Sequence, residues 1–216
     1  MSASRRRRAA AIPAGKPSAV AFAPAVPQAT RERVLHAAQA LIGQRGHANF
    51  SLVELAAATG LSRQTLYLLF GSRAGLLMAL VDDLDARSSG PAKLAALREQ
   101  GERDFEAYVR AWFDYLPTVL PVARALSAAA TSGDDDARAA WQSRLAKLHH
   151  GFTQMARALQ AEGRLRAGWT VTQAADWTLA LTHVDLWQHL VVEAGWKPAD
   201  HVERIVATLQ KTLVKG

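Results

Sequence analysis

Apolar side chains recur every three or four residues along most of this 216-residue chain, and this spacing constrains the fold more than any other feature. The pattern continues from Thr30 to the last residues, and the strict apolar–polar alternation that is typical of half-buried strands is not found over any useful length. It predicts an all-α protein of about nine helices with no internal repeat. The clearest one-sided stripe comprises Trp141, Leu145, Leu148, Phe152, Met155 and Leu159.

Helix-capping residues predict the boundaries of four helices in the first part of the chain. Thr30 can begin the first helix, and Gly46 is expected to end it. Ser51 is a second N-cap, with Glu54 three residues later to complete a capping box, and Gly60 stops that helix. The next two predicted helices run from Ser62 to about Leu69 and from near Ser72 to about Arg87.

Prolines and polar stretches divide the second part of the chain. The run Ser88–Pro91 is expected to break the chain between two domains. Pro117 is expected to end a helix that begins near Phe105, because proline lacks a backbone N–H, and a shorter helix should follow over 118–130. Further helices are predicted from apolar stripes over 141–159, 177–191 and 202–213.

Composition predicts three regions. Residues 1–27 form an Ala/Pro-rich basic arm that cannot pack a core and is expected to be disordered. Residues 28–88 and 91–216 are expected to form two helical domains. Prolines interrupt each apolar stretch of the arm before it reaches the length of the hydrophobic region of a signal peptide, and no apolar run approaches the ~20 residues that span a bilayer. The chain is therefore expected to be soluble and cytoplasmic, without a membrane partner.

The net charge of +7 is concentrated in the first third of the chain. Residues 1–73 contain ten Lys and Arg and two acidic residues, a net charge of +8, whereas residues 74–216 contain sixteen and seventeen, a net charge of −1. A basic segment on a near-neutral body favours a polyanionic partner, most simply nucleic acid. A solvated basic tail is the alternative, because Arg5–Arg8 alone supply four of the charges.

Residues 51–70 match the spacing of a helix-turn-helix. Two short helices that cross closely need a small residue at the crossing, where Ala56 lies, and a turn residue that tolerates positive φ, which Gly60 supplies. The apolar positions that fix the second helix are Leu55, Leu61, Leu66 and Phe70. The polar residues at its N-terminal end, which would enter the major groove, are Arg63, Gln64, Thr65 and Tyr67. A helical hairpin without DNA-binding function can show the same small-residue spacing.

The continuation of this motif resembles the signature of the TetR family of transcriptional regulators. The stretch from Gly60 to Leu77, GLSRQTLYLLFGSRAGLL, has the Leu-Tyr pair of the recognition helix, then an aromatic residue, Ser-Arg and a leucine pair. The resemblance covers about residues 30–87 and includes Ala37, Ala38 and Gly46 upstream.

The resemblance implies roles for individual residues. Ser51 and Tyr67 would bond phosphates, and Arg73 would add a phosphate contact at the start of a helix. Among the residues that would face base edges, arginine best suits guanine and glutamine best suits adenine. The complete set expected at DNA is Ser51, Ser62, Arg63, Gln64, Thr65, Tyr67, Leu68 and Arg73.

The sequence departs from the family pattern at three positions. Leu68 and Leu69 stand where the family often has an aromatic residue, arginine or histidine, so a polar contact is lost, although Leu68 could touch a thymine methyl. Ala74 replaces a common glutamate. Outside the motif, Arg5–Arg8 could follow the minor groove or add only nonspecific attraction to DNA.

The second region is rich in large aromatic residues, including all six tryptophans. The family resemblance implies a helical bundle with an internal ligand pocket, whose last two helices pair across a two-fold axis. An aromatic set of this kind can also simply fill a core. The residues expected at a ligand are Trp112, Tyr115, Trp141, Phe152, Met155, Trp177, His183 and Trp187.

Other chemistry finds little support in the sequence. The chain has no cysteine, and its histidines lack metal-ligand spacing, so neither a metal nor a cofactor is expected. Asp82, Asp83 and Asp85 fan around a predicted helix and are expected to form a solvated face. No nucleophile elbow, phosphate loop or dinucleotide fingerprint is present.

The prediction is therefore a non-enzymatic, homodimeric repressor, released from a palindromic operator by a small apolar or aromatic ligand. An enzyme and an architectural DNA binder without a ligand are the alternatives.

Overall fold

A computed structural model describes residues 27–45, 47–99 and 105–215. The predictions for the arm of residues 1–27, including Arg5–Arg8, and for Gly46 as a helix end therefore lie outside the described residues, apart from Pro27. The helices are α1 (Gln28–Arg45), α2 (Leu52–Thr59), α3 (Arg63–Phe70), α4 (Arg73–Arg87), α5 (Ser89–Glu99), α6 (Phe105–Thr131), α7 (Asp135–Ala161), α8 (Val171–Leu181), α9 (Val184–Trp187) and α10 (Pro198–Leu213). The all-α class is confirmed; within the described ranges, extended pairing is limited to an isolated bridge between Leu165 and Val214.

Helices α2, α3 and α4 begin where the capping residues predict, whereas α1 begins at Gln28, two residues before the predicted start at Thr30. Ser51 Oγ accepts from the backbone N–H of Glu54 (3.1 Å), and Glu54 Oε2 accepts from that of Ser51 (2.7 Å), which confirms the capping box. Ser62 Oγ accepts from the Thr65 N–H, and Ser72 Oγ accepts from the Gly75 N–H, both at 3.0 Å. Each cap satisfies a backbone N–H that the helix itself leaves unpaired.

The predicted helix end at Pro117 is wrong, because α6 runs without interruption past Pro117 and Pro121. The two prolines are four residues apart, so the backbone hydrogen bonds that they remove fall along one side of the helix, away from the fully buried Leu116. A proline inside a helix costs about 3 kcal/mol. The fourteen buried residues of α6 outweigh this cost, since a fully buried large apolar side chain contributes about 1.5–3 kcal/mol.

The single helix predicted over 177–191 is also wrong. The helix breaks after Leu181 and resumes as α9, which continues as a π-helical segment, Gln188–Glu193. The break is stabilised from a distance, because the indole N–H of Trp112 donates to the carbonyl oxygen of Thr182 (3.0 Å, buried). His183 then caps α9, its Nδ1 accepting from the Asp185 N–H at 3.3 Å.

The chain turns at Ser88 as expected, but Ser89, Gly90 and Pro91 form the first turn of α5, a helix that the sequence did not predict. Proline suits this position because the first turn of a helix needs no N–H donor there. Ser88 Oγ accepts from the Gly90 N–H (3.0 Å) and so stabilises the tight entry to α5.

Two hydrophobic clusters share α4, α6 and α7. The first surrounds Leu55, Leu66 and Leu80 and extends into α6 at Val122 and Leu126. The second lies between α6, α7, α9 and α10. Helix α4 therefore packs into the core of the first three helices and against the long helices of the second region. Among the described helices, none alone is long and apolar enough to cross a bilayer, although α3 and α4, bent by 61°, pass such a test as a pair.

Candidate nucleic-acid interface and ligand cavity

A left-handed glycine forms the turn between α2 and α3. Gly60 adopts φ 68°, and the following Leu61 N–H donates to the carbonyl oxygen of Ala56 at 3.1 Å. Leu55 and Leu66 are fully buried between the two helices. A side chain at Gly60 would be strained in this region of backbone space, so the glycine fixes how α3 leaves α2. The predicted helix-turn-helix is present.

The side of α3 opposite Leu66 is open to solvent. Arg63 and Gln64 are exposed, Tyr67 is 45% exposed, and Leu68 is 68% exposed. The exposure of Arg63, Gln64 and Tyr67 agrees with the predicted outward face, whereas Thr65, predicted to face outward with them, is half-buried. Leu68 adds an apolar side chain to this otherwise polar face.

Two further residues predicted to contact DNA, Thr65 of α3 and its N-cap Ser62, contact each other. Thr65 is half-buried, and its hydroxyl lies 2.9 Å from Ser62 Oγ, whose oxygen also caps the helix. Part of their hydrogen-bonding capacity is thus used within the protein. Their contact with DNA remains a prediction.

The residues expected at phosphates lie together in a shallow depression beside α3. Ser51, Arg63, Tyr67 and Arg73 line it. Arg73 also has a structural role that the sequence did not indicate, since its guanidinium donates to the carbonyl oxygens of Ala48 (3.0 Å) and Phe50 (3.5 Å). Because arginine carries five N–H donors, these bonds leave donors for a phosphate and hold the guanidinium in place.

An ion pair orders the start of α2. Arg45 at the end of α1 lies 2.8 Å from Glu54, which also completes the capping box. The bond from the Ser51 backbone N–H, reinforced by that from Arg45, lowers the pKa of Glu54 to about 2. The carboxylate thus stays ionised beside Ser51. The capping motif predicts Glu54, but nothing in the sequence singles out Arg45.

A cavity of about 160 Å³ lies between α4, α5, α6, α7 and the start of α9. Four of the eight predicted ligand residues line it: Trp112, Tyr115, Trp141 and His183. Two close approaches shape the walls. A Cβ at Gly90 would lie 2.5 Å from the ring of Tyr115, and one at Gly151 would overlap the hydroxyl of Tyr108, which also lines the cavity. Glycine at these positions lets the two tyrosines take their places.

The other four predicted ligand residues are not among the lining residues. Phe152 and Met155 face the buried core, and Trp187 stacks on Phe113 at 5.8 Å between ring centroids. Trp177 is 38% exposed and lies against Trp169 on the surface. These four residues were predicted from apolar stripes along helices. Residues that fill a core and residues that line a cavity share the same helical periodicity, so a stripe alone does not distinguish them.

The predicted solvated face of Asp82, Asp83 and Asp85 is wrong for two of its three members. Asp82 is exposed, but Asp83 accepts from Gln39 Nε2 of α1 at 2.5 Å. Asp85 lines the cavity and accepts both Nη groups of Arg144, at 2.6 and 2.9 Å. Residues two apart on a helix point in nearly opposite directions, so α4 is bonded to α1 on one side and to α7 on the other.

Tyr115 completes a three-residue network at the cavity wall. Its hydroxyl donates to Asp85, in addition to the two bonds from Arg144. Burial and the bond to Asp85 raise the pKa of Tyr115, so it remains a donor. Burial alone would lower the pKa of Arg144, but the hydrogen bonds and charge of Asp85 raise it overall. The guanidinium is therefore a permanent cation, and the Asp85–Arg144–Tyr115 network joins α4, α7 and α6.

His201 lies in a separate buried cluster at the start of α10. Its ring packs edge-on against Phe113 and Trp187, each at 5.3 Å between centroids. Neither ring nitrogen has a hydrogen-bond partner among the described residues, and burial lowers the pKa of His201. Across the described part of the chain, no three His, Asp or Glu side chains are grouped so that they could hold a metal ion.

Comparisons with known proteins agree with this arrangement. Residues 34–80 match the family model described as bacterial regulatory proteins, tetR family. Three solved structures share the fold. A transcriptional regulator from Saccharomonospora viridis, in complex with choline, is 17% identical, with 88% of this chain and 100% of that chain covered and a TM-score of 0.68. A TetR-family regulator from Rhodococcus sp. is 20% identical (85% and 98%, TM-score 0.62), and Thermus thermophilus FadR with lauroyl-CoA is 19% identical (84% and 94%, TM-score 0.62).

The sequence has no significant match among curated proteins. The helix-turn-helix with its exposed α3, and the family model that covers it, define a DNA-binding transcriptional regulator. Residues 34–80 are thus similar to the DNA-binding part of the TetR family, and the chain as a whole shares its fold with solved regulators of that family.

Proposed function

We propose that this regulator is a homodimeric repressor that binds an inverted-repeat operator and is released by a small apolar or aromatic ligand in the cavity. One observation carries the proposal: α4 packs in the core that supports α3, and it also lines the cavity. Leu77 and Leu80 pack in the core that supports α3, while Val81 and Asp85, on the next turn, line the cavity. A ligand that displaces α4 would displace the DNA-reading helix with it.

The exposed face of α3 supports a specific mode of reading. With its N-terminal end in the major groove, Arg63 would pair with guanine and Gln64 with adenine, and Leu68 would contact a thymine methyl. Ser51 and Arg73, in the depression beside the helix, would contact phosphates. Those phosphate contacts would set the register of the protein on DNA, and the α3 contacts would select the sequence.

Exposed aromatic and aliphatic side chains support a dimer. The apolar stripe of α10, which includes Ile205 and Leu209, is buried inside one protomer, so it does not supply the interface. The exposed large apolar side chains of this region are Trp177, Val192 and Trp196. Pairing of α8 and the exposed side of α10 with a second copy would cover apolar surface of this kind.

Two structural neighbours support a small-molecule effector. The Saccharomonospora viridis regulator was solved with choline and Thermus thermophilus FadR with lauroyl-CoA, so the fold accommodates chemically different ligands. In this chain the cavity next to α4 is the site that we assign to the effector. Since a ligand acts only by preferring one conformation, it must favour an arrangement of α4 that fits the operator less well.

The experiment has two stages. Selection of bound fragments from genomic DNA gives the operator, which is expected to be an inverted repeat with recognition helices about 34–36 Å apart or somewhat more. Fluorescence anisotropy with that operator then screens small aromatic compounds for release, and light scattering gives the stoichiometry. Operator binding that no compound alters would favour an architectural DNA binder. A monomer, with and without DNA, would contradict the dimer.

A further inference from the structure

Resting on this proposed function, we propose that the effector is a small, single-ring aromatic carboxylate, whose anionic group binds Arg144 in the cavity and displaces Asp85 from it. The ligand would thereby break the link between α4 and α7. Three independent features of the cavity support this: its size, its charge and the position of the Asp85–Arg144 pair.

The size of the cavity limits the body of the ligand. Its volume of about 160 Å³ is close to the ~150 Å³ of an apolar protein cavity that takes up benzene, and below the ~300 Å³ at which pockets for drug-sized ligands begin. Trp112, Trp141 and Tyr108 supply aromatic walls. Aromatic rings favour offset or edge-on contacts with another ring, so a single aromatic ring fits this space best.

The charge of the lining selects an anion. Arg98, Arg144 and Lys147 face one acidic residue, Asp85. Asp85 and Arg144 neutralise each other, and among the described residues Arg98 and Lys147 make no ion pair. A carboxylate that enters between these groups meets an excess of positive charge, whereas a cation of the same size is repelled.

The Asp85–Arg144 pair is placed where a ligand can reach it. Their side chains remain 25% and 21% exposed although both line the cavity. A guanidinium binds any carboxylate in the same two-point manner, so a ligand carboxylate can replace Asp85 without leaving the Arg144 charge unpaired. Asp85 would keep its bond from the Tyr115 hydroxyl.

We call α1, α2 and α3, which hold the DNA-reading face, the reader. Loss of the Asp85–Arg144 pair frees one side of α4 while the other side stays attached to the reader. Asp83 still accepts from Gln39 of α1, and Leu77 and Leu80 still pack in the reader core. Helix α4 and the helix-turn-helix would therefore move together relative to α7. In a dimer, this movement changes the distance between the two recognition helices, which operator DNA fixes.

The test compares two probes of nearly equal shape on the full chain. Benzoate carries the anion, and benzamide is its neutral analogue. Benzoate is expected to weaken operator binding by about tenfold or more, within the usual range of allosteric coupling, while benzamide at the same concentration changes it little. Calorimetry on the protein without DNA is expected to show the same preference.

Four variants locate the contact. Arg144→Met should lose benzoate binding in calorimetry, whereas Lys147→Met, which removes the same charge from the same cavity, should retain most of it. Asp85→Asn should bind benzoate more tightly than the wild type, because the competing carboxylate is gone. The double variant Asp85→Asn/Arg144→Met leaves no unpaired charge, so it remains informative if Arg144→Met alone fails to fold; it too should lose benzoate binding.

The outcomes separate this inference from the proposed function. Release of the operator by neutral aromatic compounds but not by benzoate, or full benzoate binding by the double variant, would overturn the anionic ligand and leave the regulator intact. Operator binding that is insensitive to every compound screened would instead overturn the ligand-released repressor itself.

Discussion

The reader depends mainly on hydrogen bonds between residues close in the chain, whereas the cavity wall depends on hydrogen bonds between residues far apart in the chain. In the reader, the decisive bonds join residues three apart, such as Ser51 with Glu54 and Ser62 with Thr65. In the cavity they join residues far apart in the chain: Asp85 and Arg144 are separated by 59 residues, and Trp112 bonds to a carbonyl 70 residues away. Local bonds cap the short helices of the helix-turn-helix, while distant bonds join α4 to α6 and α7.

The largest expected effect is a change in the free energy of unfolding that differs between the two faces of α3. Leu66→Ala removes a fully buried side chain of the reader core and should lower the free energy of unfolding by about 2–5 kcal/mol. Leu68→Ala, the same change two residues along on the exposed face, should alter it by less than about 0.5 kcal/mol. Urea unfolding measures both. Equal losses would contradict the assignment of the two faces.

The next largest effect is on DNA affinity, and it distinguishes residues that contact bases from residues that contact phosphates. Gln64→Ala should cost about 1–3 kcal/mol for the operator and alter sequence preference, if its contact with adenine is bidentate. Tyr67→Ala should weaken binding to the operator and to unrelated DNA alike. Anisotropy titrations with both DNAs at one salt concentration distinguish them. A uniform loss for Gln64→Ala would remove it from base recognition.

Capping boxes in both regions allow a matched comparison. Ser51→Ala and Thr170→Ala each delete the cap of a helix, and each should lower the free energy of unfolding by about 1 kcal/mol. Their functions should differ, because Ser51 lies in the depression beside α3 and Thr170 lies far along the chain at the start of α8. Operator affinity should fall for Ser51→Ala alone; a comparable fall for Thr170→Ala would contradict a direct role for Ser51.

The smallest effect concerns acid stability of the second region. Burial lowers the pKa of His201 below its unfolded value of about 6.5, so below that pH the unfolded chain binds a proton that the folded chain does not. The free energy of unfolding should therefore fall as the pH falls from about 6.5, by at most about 1.4 kcal/mol per pH unit from this group. His201→Leu should show a smaller fall, and the exposed His47→Ala should behave as the wild type. Identical pH profiles for all three would contradict a buried, neutral His201.

The same contrast explains what the sequence could predict. Capping residues, Gly60 and the polar end of α3 act through neighbours in the chain, so their spacing alone predicts the reader and its exposed face. Half of the expected ligand residues, including Trp112 and Trp141, do line the cavity. Trp177 and Phe152 do not, because periodicity reports which side of a helix is apolar and not whether that side meets a core, a cavity or the surface.

The sequence did not predict the roles of residues whose contacts lie far away in the chain. Asp85 looked like one of three solvated acids, and only the approach of Arg144 and Tyr115 gives it a role. Pro117 looked like a helix end, yet the buried face of α6 carries the helix through it. Arg73 looked like a phosphate ligand alone, although it also bonds to the carbonyl of Ala48.

The coupling of cavity and reader through α4 is tested most directly by the operator affinity of Asp85→Asn, measured without any ligand. This variant keeps the shape of the side chain but removes the charge that holds Arg144, so α4 should favour the released arrangement. The operator affinity is expected to fall by at least about fivefold, the lower end of typical coupling. Asp114→Asn, which removes an exposed carboxylate of α6 paired with Lys93 at 3.0 Å, should have the affinity of the wild type. Equal operator affinity for Asp85→Asn and Asp114→Asn would contradict the account.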